Sequence, residues 1–193
     1  MTALTAKPIP EETRNISSRE KVISIRIVRG FDDLHKALAI RAAVFLGKPG
    51  WTYEHTFDPN DHAATQILAE VDGEPVGTIR VRWFNGFARI ERVAILPGHR
   101  SLKVLRGLAQ KALRLAQSKG YEMVCGLAYP EIVAFWRRQG GEPCGEALES
   151  EYGSVIPMVM RLKGGPDIAR PDLGNIGQAA FEWATYAPEG QGL

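Results

Sequence analysis

The sequence predicts an α/β fold, a mixed and mostly antiparallel sheet of six or seven strands with helices on both faces. Three observations carry this expectation. Two hairpin signals, Asp72-Gly73 and Asn85-Gly86, separate three apolar runs between residues 66 and 95, as an antiparallel meander requires. An amphipathic run over 101–118 then leads to a short apolar strand at 123–128 and a second helical stretch. A meander that feeds a β-α-β crossover gives a mixed sheet with helices packed on its faces.

Each element has its own local cause. Val22–Val28 alternates, with Ile23, Ile25 and Ile27 against Ser24 and Arg26, which reads as a half-buried strand. Asp32 and Asp33 suit a helix N-cap. Behind them Leu34, Ala37, Leu38, Ala42 and Phe45 recur every three or four residues, so a first helix follows. A polar and aromatic loop runs from Gly47 to about Ala64. The meander strands are Gln66–Val71, Pro75–Val81 and Phe87–Ile95. The next helix, Ser101–Ser118, shows Leu105, Leu108, Ala109, Ala112, Leu113 and Ala116 on one face, and Gly120 closes it. Met123–Ala128 is a strand. Pro130 suits the first position of a helix that carries Ile132, Val133, Phe135 and Trp136 and stops at Gly140-Gly141. A last strand lies near Val155–Met160.

Composition narrows the function classes. A chain of 193 residues with 45% hydrophobic and 24% charged side chains fits one globular domain and excludes a wholly disordered or collagen-like chain. A net charge of +2 is too small to argue for nucleic acid or a membrane surface. Two cysteines make no disulfide framework, and no His/Cys spacing suggests a metal. No run of about 18 apolar residues exists for a membrane span, so the expected compartment is the cytoplasm. Residues 1–21 read as a mobile arm, 22–163 as the folded domain, and 164–193 as a tail punctuated by proline and glycine. Its patch of Ala179, Phe181, Trp183 and Tyr186 would dock in part and could seal a homodimer.

The stretch from Arg89 to Leu105 is the most informative. It reads as strand, short turn and helix, and from His99 to Gly120 it carries six Lys or Arg and no acid. A helix N-terminus of that charge is suited to phosphate. Glu91 lies on the strand before it, a candidate base for removing a proton from an ammonium nucleophile. Strand alternation puts it on the face opposite Ile90 and Arg92. The competing reading is an exposed glutamate paired with Arg80, Arg82, Arg89 or Arg92.

This strand–turn–helix, the hairpin before it and the later Ala134-Phe-Trp-Arg-Arg-Gln-Gly140 segment resemble the GNAT superfamily of acyl-CoA-dependent N-acyltransferases, over residues 23 to 162. The resemblance implies a GNAT-like sheet and acetyl-CoA or another acyl-CoA as co-substrate, with no metal. It also implies a small-molecule or peptide amine as acceptor. Val93 and Ile95 would meet pantetheine through their backbone, and Arg100, Ser101, Lys103 and Val104 would hold the pyrophosphate. Glu91 would be the base, and the Val93 N–H would face the oxyanion. The sequence departs from the family's glycine-rich loop, with Lys103 and Leu105 in two of its slots. Trp136 stands where the family often has a tyrosine acid, and Tyr129 could partly compensate. The loop residues Trp51, Glu54, Asp58 and Asp61 would border the acceptor pocket, where their carboxylates suit a cation.

A second resemblance runs through Arg41, Phe45, Trp51, Asp58, Asp61 and Glu91-Arg92, which are similar to the signature of acyl-homoserine-lactone synthases. It implies acyl carrier protein as donor, docked on Arg100, Lys103 and Arg106. A non-catalytic binding protein on the same fold is the third alternative.

Overall fold

The computed structural model describes residues 20–150 and 153–162. The expected C-terminal tail with its aromatic patch, and all but the last two residues of the expected N-terminal arm, lie outside them.

Strand β1 (Ile23–Ile27) leads into helix α1 (Gly30–Phe45). The helix begins before Asp32 and Asp33, with Arg29 as its N-cap. Asp33 sits in the first turn instead, where its carboxylate accepts the Arg29 N–H at 3.1 Å and pairs with Arg26. The expected loop contains a single turn of helix, α2 (Tyr53–Thr56), and a 3-10 turn, Pro59–His62, held by Asp58 and Asp61 in a capping box. The meander is β2 (Thr65–Val71), β3 (Glu74–Trp83) and β4 (Ala88–Ile95). At its first hairpin Asp72 and Gly73 both take positive φ, 53° and 88°, as the tight turn demands. A 3-10 turn at Pro97–His99 then delivers α3 (Leu102–Ser118), followed by β5 (Met123–Ala128) and α4 (Pro130–Arg138).

Two edge strands were not legible in the sequence, β6 (Gly141–Pro143) and β7 (Leu148–Ser150); both pair with the last strand, β8 (Gly153–Arg161). Each is three residues long, too short to show alternation. They raise the sheet to eight strands, in the order β1-β2-β3-β4-β5-β8-β6 with β7 also on β8. Every pairing is antiparallel except β4 with β5.

Both faces are covered, unequally. Helices α3 and α4 close one face over a core that includes Ile67, Ile79, Val81, Leu108 and Phe135. Helix α1 packs on the other with a smaller cluster around Ala37, Ile40, Phe45 and Leu68.

Two departures from regular geometry shape the middle of the sheet. Thr78 pairs with Ala94 and Arg80 with Glu91, so β4 carries one residue more than β3 between those rungs. This is a β-bulge, and Arg92 within it takes φ 53°. Beside it β4 and β5 pair only at Ala88–Val124 and Arg89–Cys125 before they part. At Gly126 a Cβ would stand 2.7 Å from the Ile90 carbonyl oxygen, so glycine is what lets the strands touch before they separate.

Candidate active site in the split between two strands

Where β4 and β5 part, the sheet opens into a cleft of about 1060 Å³. Its walls are Ile90, Val93 and Ile95 of β4 and Gly126, Leu127 and Ala128 of β5. Arg100, Ser101, Leu102 and Leu105 stand at the α3 end, and Phe45, Lys48 and Trp51 at the α1 end. The lining is mostly apolar with a few charged groups among it, as in a site that buries a ligand.

At the α3 end the expected phosphate residues divide. Arg100 and Ser101 line the cleft, and the Arg100 Nε–H donates to the Ile95 carbonyl at 3.4 Å. Lys103 and Val104 do not line it. The Lys103 ammonium is exposed and reaches Glu20 at 3.5 Å. The Val104 side chain is buried in the core, and its N–H donates to the Ser101 hydroxyl at 3.2 Å. Ser101 thus caps α3 with a contact that takes one of the donors a phosphate would need.

At the α1 end Tyr129 lines the cleft and accepts a hydrogen bond from the Trp51 indole. Burial pushes its phenol above the ordinary value, against that hydrogen bond, so the hydroxyl keeps its proton at neutral pH. Trp51 is stacked on Phe45 with ring centroids 4.3 Å apart. Lys48 had no motif to mark it. Its ammonium lies 5.4 Å from the Phe45 ring centre and 6.0 Å from that of Tyr129. Burial, with Arg100 nearby, lowers its pKa.

The carboxylates are arranged differently from expectation. Glu54 is exposed and outside the cleft. Asp58 and Asp61 do not line it either; they neutralise arginines beneath it. Asp61 pairs with the fully buried Arg41, with Arg80 at 2.7 Å, and accepts from Gln66 at 3.0 Å. Arg41 also donates to the Thr56 carbonyl. Asp58 pairs with Arg80 at 2.8 Å and Arg92 at 3.4 Å. Burial alone would raise the Asp58 carboxyl, but the Arg80 hydrogen bond and charge outweigh it and hold the group well below the carboxylate range.

Glu91 does line the cleft, with Arg80 at 2.8 Å on one oxygen and Arg89 at 3.2 Å on the other. The sequence set Arg92 on the opposite face from Glu91. The bulge overturns that alternation, because the extra residue turns Arg92 back toward Asp58 and over Trp51, with its guanidinium carbon 5.5 Å from the ring centre. Cys125 also borders the cleft, but burial pushes its thiol up to about 12, which leaves no thiolate.

The acetyltransferase (GNAT) family model matches residues 33–140. The chain belongs to the GNAT family. It is 29% identical over 138 residues to YjcF of Bacillus subtilis, named an uncharacterized N-acetyltransferase, with 71% of this chain and 96% of that protein aligned. A crystal structure of an acyl-CoA N-acyltransferase from Pseudomonas aeruginosa superposes with TM-score 0.65 at 19% identity, covering 72% of this chain and 99% of that one. The acyl-homoserine-lactone synthase LasI superposes with TM-score 0.58 at 16% identity, over 78% and 98%. This GNAT chain therefore has the mixed, mostly antiparallel sheet that the sequence predicted. Among the described residues no helix is long and apolar enough to cross a membrane.

Proposed function

We propose that this GNAT protein transfers an acyl group from an acyl-CoA thioester to an amine, in the cytoplasm. The observation that carries the reading is the cleft itself, a mostly apolar opening between β4 and β5 that Arg100, Glu91 and Tyr129 all line. Pantetheine would run between β4 and β5, with Arg100, Ser101 and the unpartnered N–H groups of the first turn of α3 toward the pyrophosphate.

The amine enters from the α1 side. Glu91 takes its proton, directly or through one water, using oxygens that Arg80 and Arg89 hold in place. The nitrogen attacks the thioester carbon, and the developing oxyanion meets the Val93 N–H. The carbon–sulfur bond then breaks, an amide forms, and the thiolate takes the Tyr129 hydroxyl proton. The Trp51 indole N–H stabilises the phenolate left behind, which water reprotonates.

A second reading has acyl carrier protein as donor. It is favoured by Lys103 and Leu105 in place of loop glycines and by the Ser101 cap, which both weaken a backbone phosphate site. Thiol release from acyl-CoA and from acyl carrier protein, measured with a panel of amines, separates the two. Glu91→Gln and Tyr129→Phe should each lower kcat at least 100-fold, or about 2.7 kcal/mol. Unchanged rates in both variants would remove these residues from the mechanism.

A further inference from the structure

We propose that Lys48 is a self-acylation site, whose side-chain amine takes the acyl group of an acyl-CoA thioester bound in the cleft. This goes beyond transfer to a free amine, and it rests on the placement of the thioester given above.

Lys48 belongs to a well-tied piece of backbone. Its N–H donates to the Phe45 carbonyl at 2.9 Å, and its carbonyl accepts from the Trp51 N–H at 3.2 Å. It therefore sits in the turn that brings Phe45 and Trp51 into their stack. The residue as a whole is exposed, yet its ammonium end lies 5.4 Å from the Phe45 ring centre and 6.0 Å from that of Tyr129. Both rings line the cleft, and among the described residues no other lysine does. Tyr129 is the residue that protonates the departing thiolate in the mechanism proposed above. Lys48 thus stands beside the bond that breaks, on a flexible four-carbon stem.

Its charge is held differently from that of the paired lysines. Lys36 pairs with Asp33 at 3.4 Å, and Lys103 reaches Glu20 at 3.5 Å. Three carboxylates line the cleft, Glu91, Glu131 and Glu149. Glu91 is held by Arg80 and Arg89. Glu131, in the first turn of α4, pulls the Lys48 pKa upward from a distance, but burial and the nearby Arg100 outweigh it and lower the pKa. Glu149 is on β7 and is not among the groups that shift Lys48. An amine that sheds its proton readily beside a second cation is a nucleophile in waiting.

The step balances without a further reagent. The neutral Nζ attacks the thioester carbon, the carbon–sulfur bond breaks, and an amide forms on Lys48. The surplus proton on nitrogen is released as the thiolate gains one, so the products are acylated protein and free thiol.

The test incubates the full chain with octanoyl-CoA and no amine, then reads intact mass and maps the modified peptides. Lys48 should gain the octanoyl group at least tenfold faster than Lys103, which is exposed and outside the cleft. Lys48→Arg, which keeps the charge, should abolish that adduct. Excess desulfo-CoA, which has no thiol to carry an acyl group, should slow labelling of Lys48 at least tenfold and leave Lys103 unchanged. Labelling of Lys48 no faster than that of Lys103, or unaffected by desulfo-CoA, would overturn the proposal. Thiol release with a panel of amines separates the two failures. Transfer to amines with Lys48 unmodified overturns self-acylation and leaves the acyltransferase reading. A Lys48 adduct that desulfo-CoA suppresses, with no amine accepted, supports self-acylation and sinks the free-amine reading.

Discussion

On the α3 and α4 side of the sheet, Ile67, Ile79, Val81, Leu108 and Ala112 are fully excluded from water in one continuous apolar core. On the α1 side, the same central strands present Arg80, Arg82, Arg89 and Glu91, closed over in part by a short loop that carries Asp58 and Asp61. The first face gains stability from area removed from water. The second spends desolvation to hold charges in fixed positions. A charged cluster that merely held the fold together would be replaceable by packed apolar residues; this one borders the cleft, which Arg89, Glu91 and Arg92 line.

The sharpest way to break this contrast is Asp61→Ala. It leaves Arg41 and Arg80 short of a carboxylate in a sealed site and should cost about 3–5 kcal/mol in chemical denaturation. A loss under about 1 kcal/mol would mean that water reaches the cluster and that the two faces differ less than the burial indicates. On the other face Leu108→Ala removes a fully buried side chain from α3 and should cost about 2–5 kcal/mol by the cavity it leaves. Its effect on acceptor affinity should be small.

Gly126→Ala falls between the faces. Its methyl group meets the Ile90 carbonyl, so β4 and β5 must shift, at about 1–3 kcal/mol. Loss of donor binding in this variant should exceed the loss of stability, because the displaced atoms are the cleft wall.

The charged face should also set the acid limit of the protein. The Asp58 carboxyl is held below its ordinary value by Arg80 and Arg92, so its contribution is complete above a pH of about 4. It is lost as the pH falls through the folded value, and Asp58→Asn should flatten the acid limb of a stability profile. The smallest effect is expected of Lys103→Ala. Its ammonium is exposed and lies outside the cleft, so stability should move by less than about 0.5 kcal/mol and donor affinity little more.

Much of the α3 face was readable in advance because local pattern and tertiary role coincide there. The periodicity over 101–118, the two hairpin turns and Pro130 all act within a few residues of themselves. The short strands β6 and β7 were not readable, since three residues carry no period and owe their pairing to β8. For the site, the cleft strands and the pyrophosphate turn at Arg100 came with the family resemblance, and Arg100, Glu91 and Tyr129 do line the cleft. Asp58 and Asp61 were seen as residues but not as counterions, because their partners Arg41 and Arg80 lie 20 and 19 residues from Asp61. Arg92 was assigned to the wrong face, because strand alternation has no way to register a bulge.

We place the acyl thioester in the split between β4 and β5, with its phosphates toward α3. Calorimetric titration with acetyl-CoA and octanoyl-CoA, wild type against Arg100→Ala, tests it most directly. A dissociation constant of about 1–100 μM, equal to about 5.5–8 kcal/mol, weakened at least tenfold by Arg100→Ala, is the predicted result. Wild-type affinity retained in that variant, or no binding of either thioester, would contradict it.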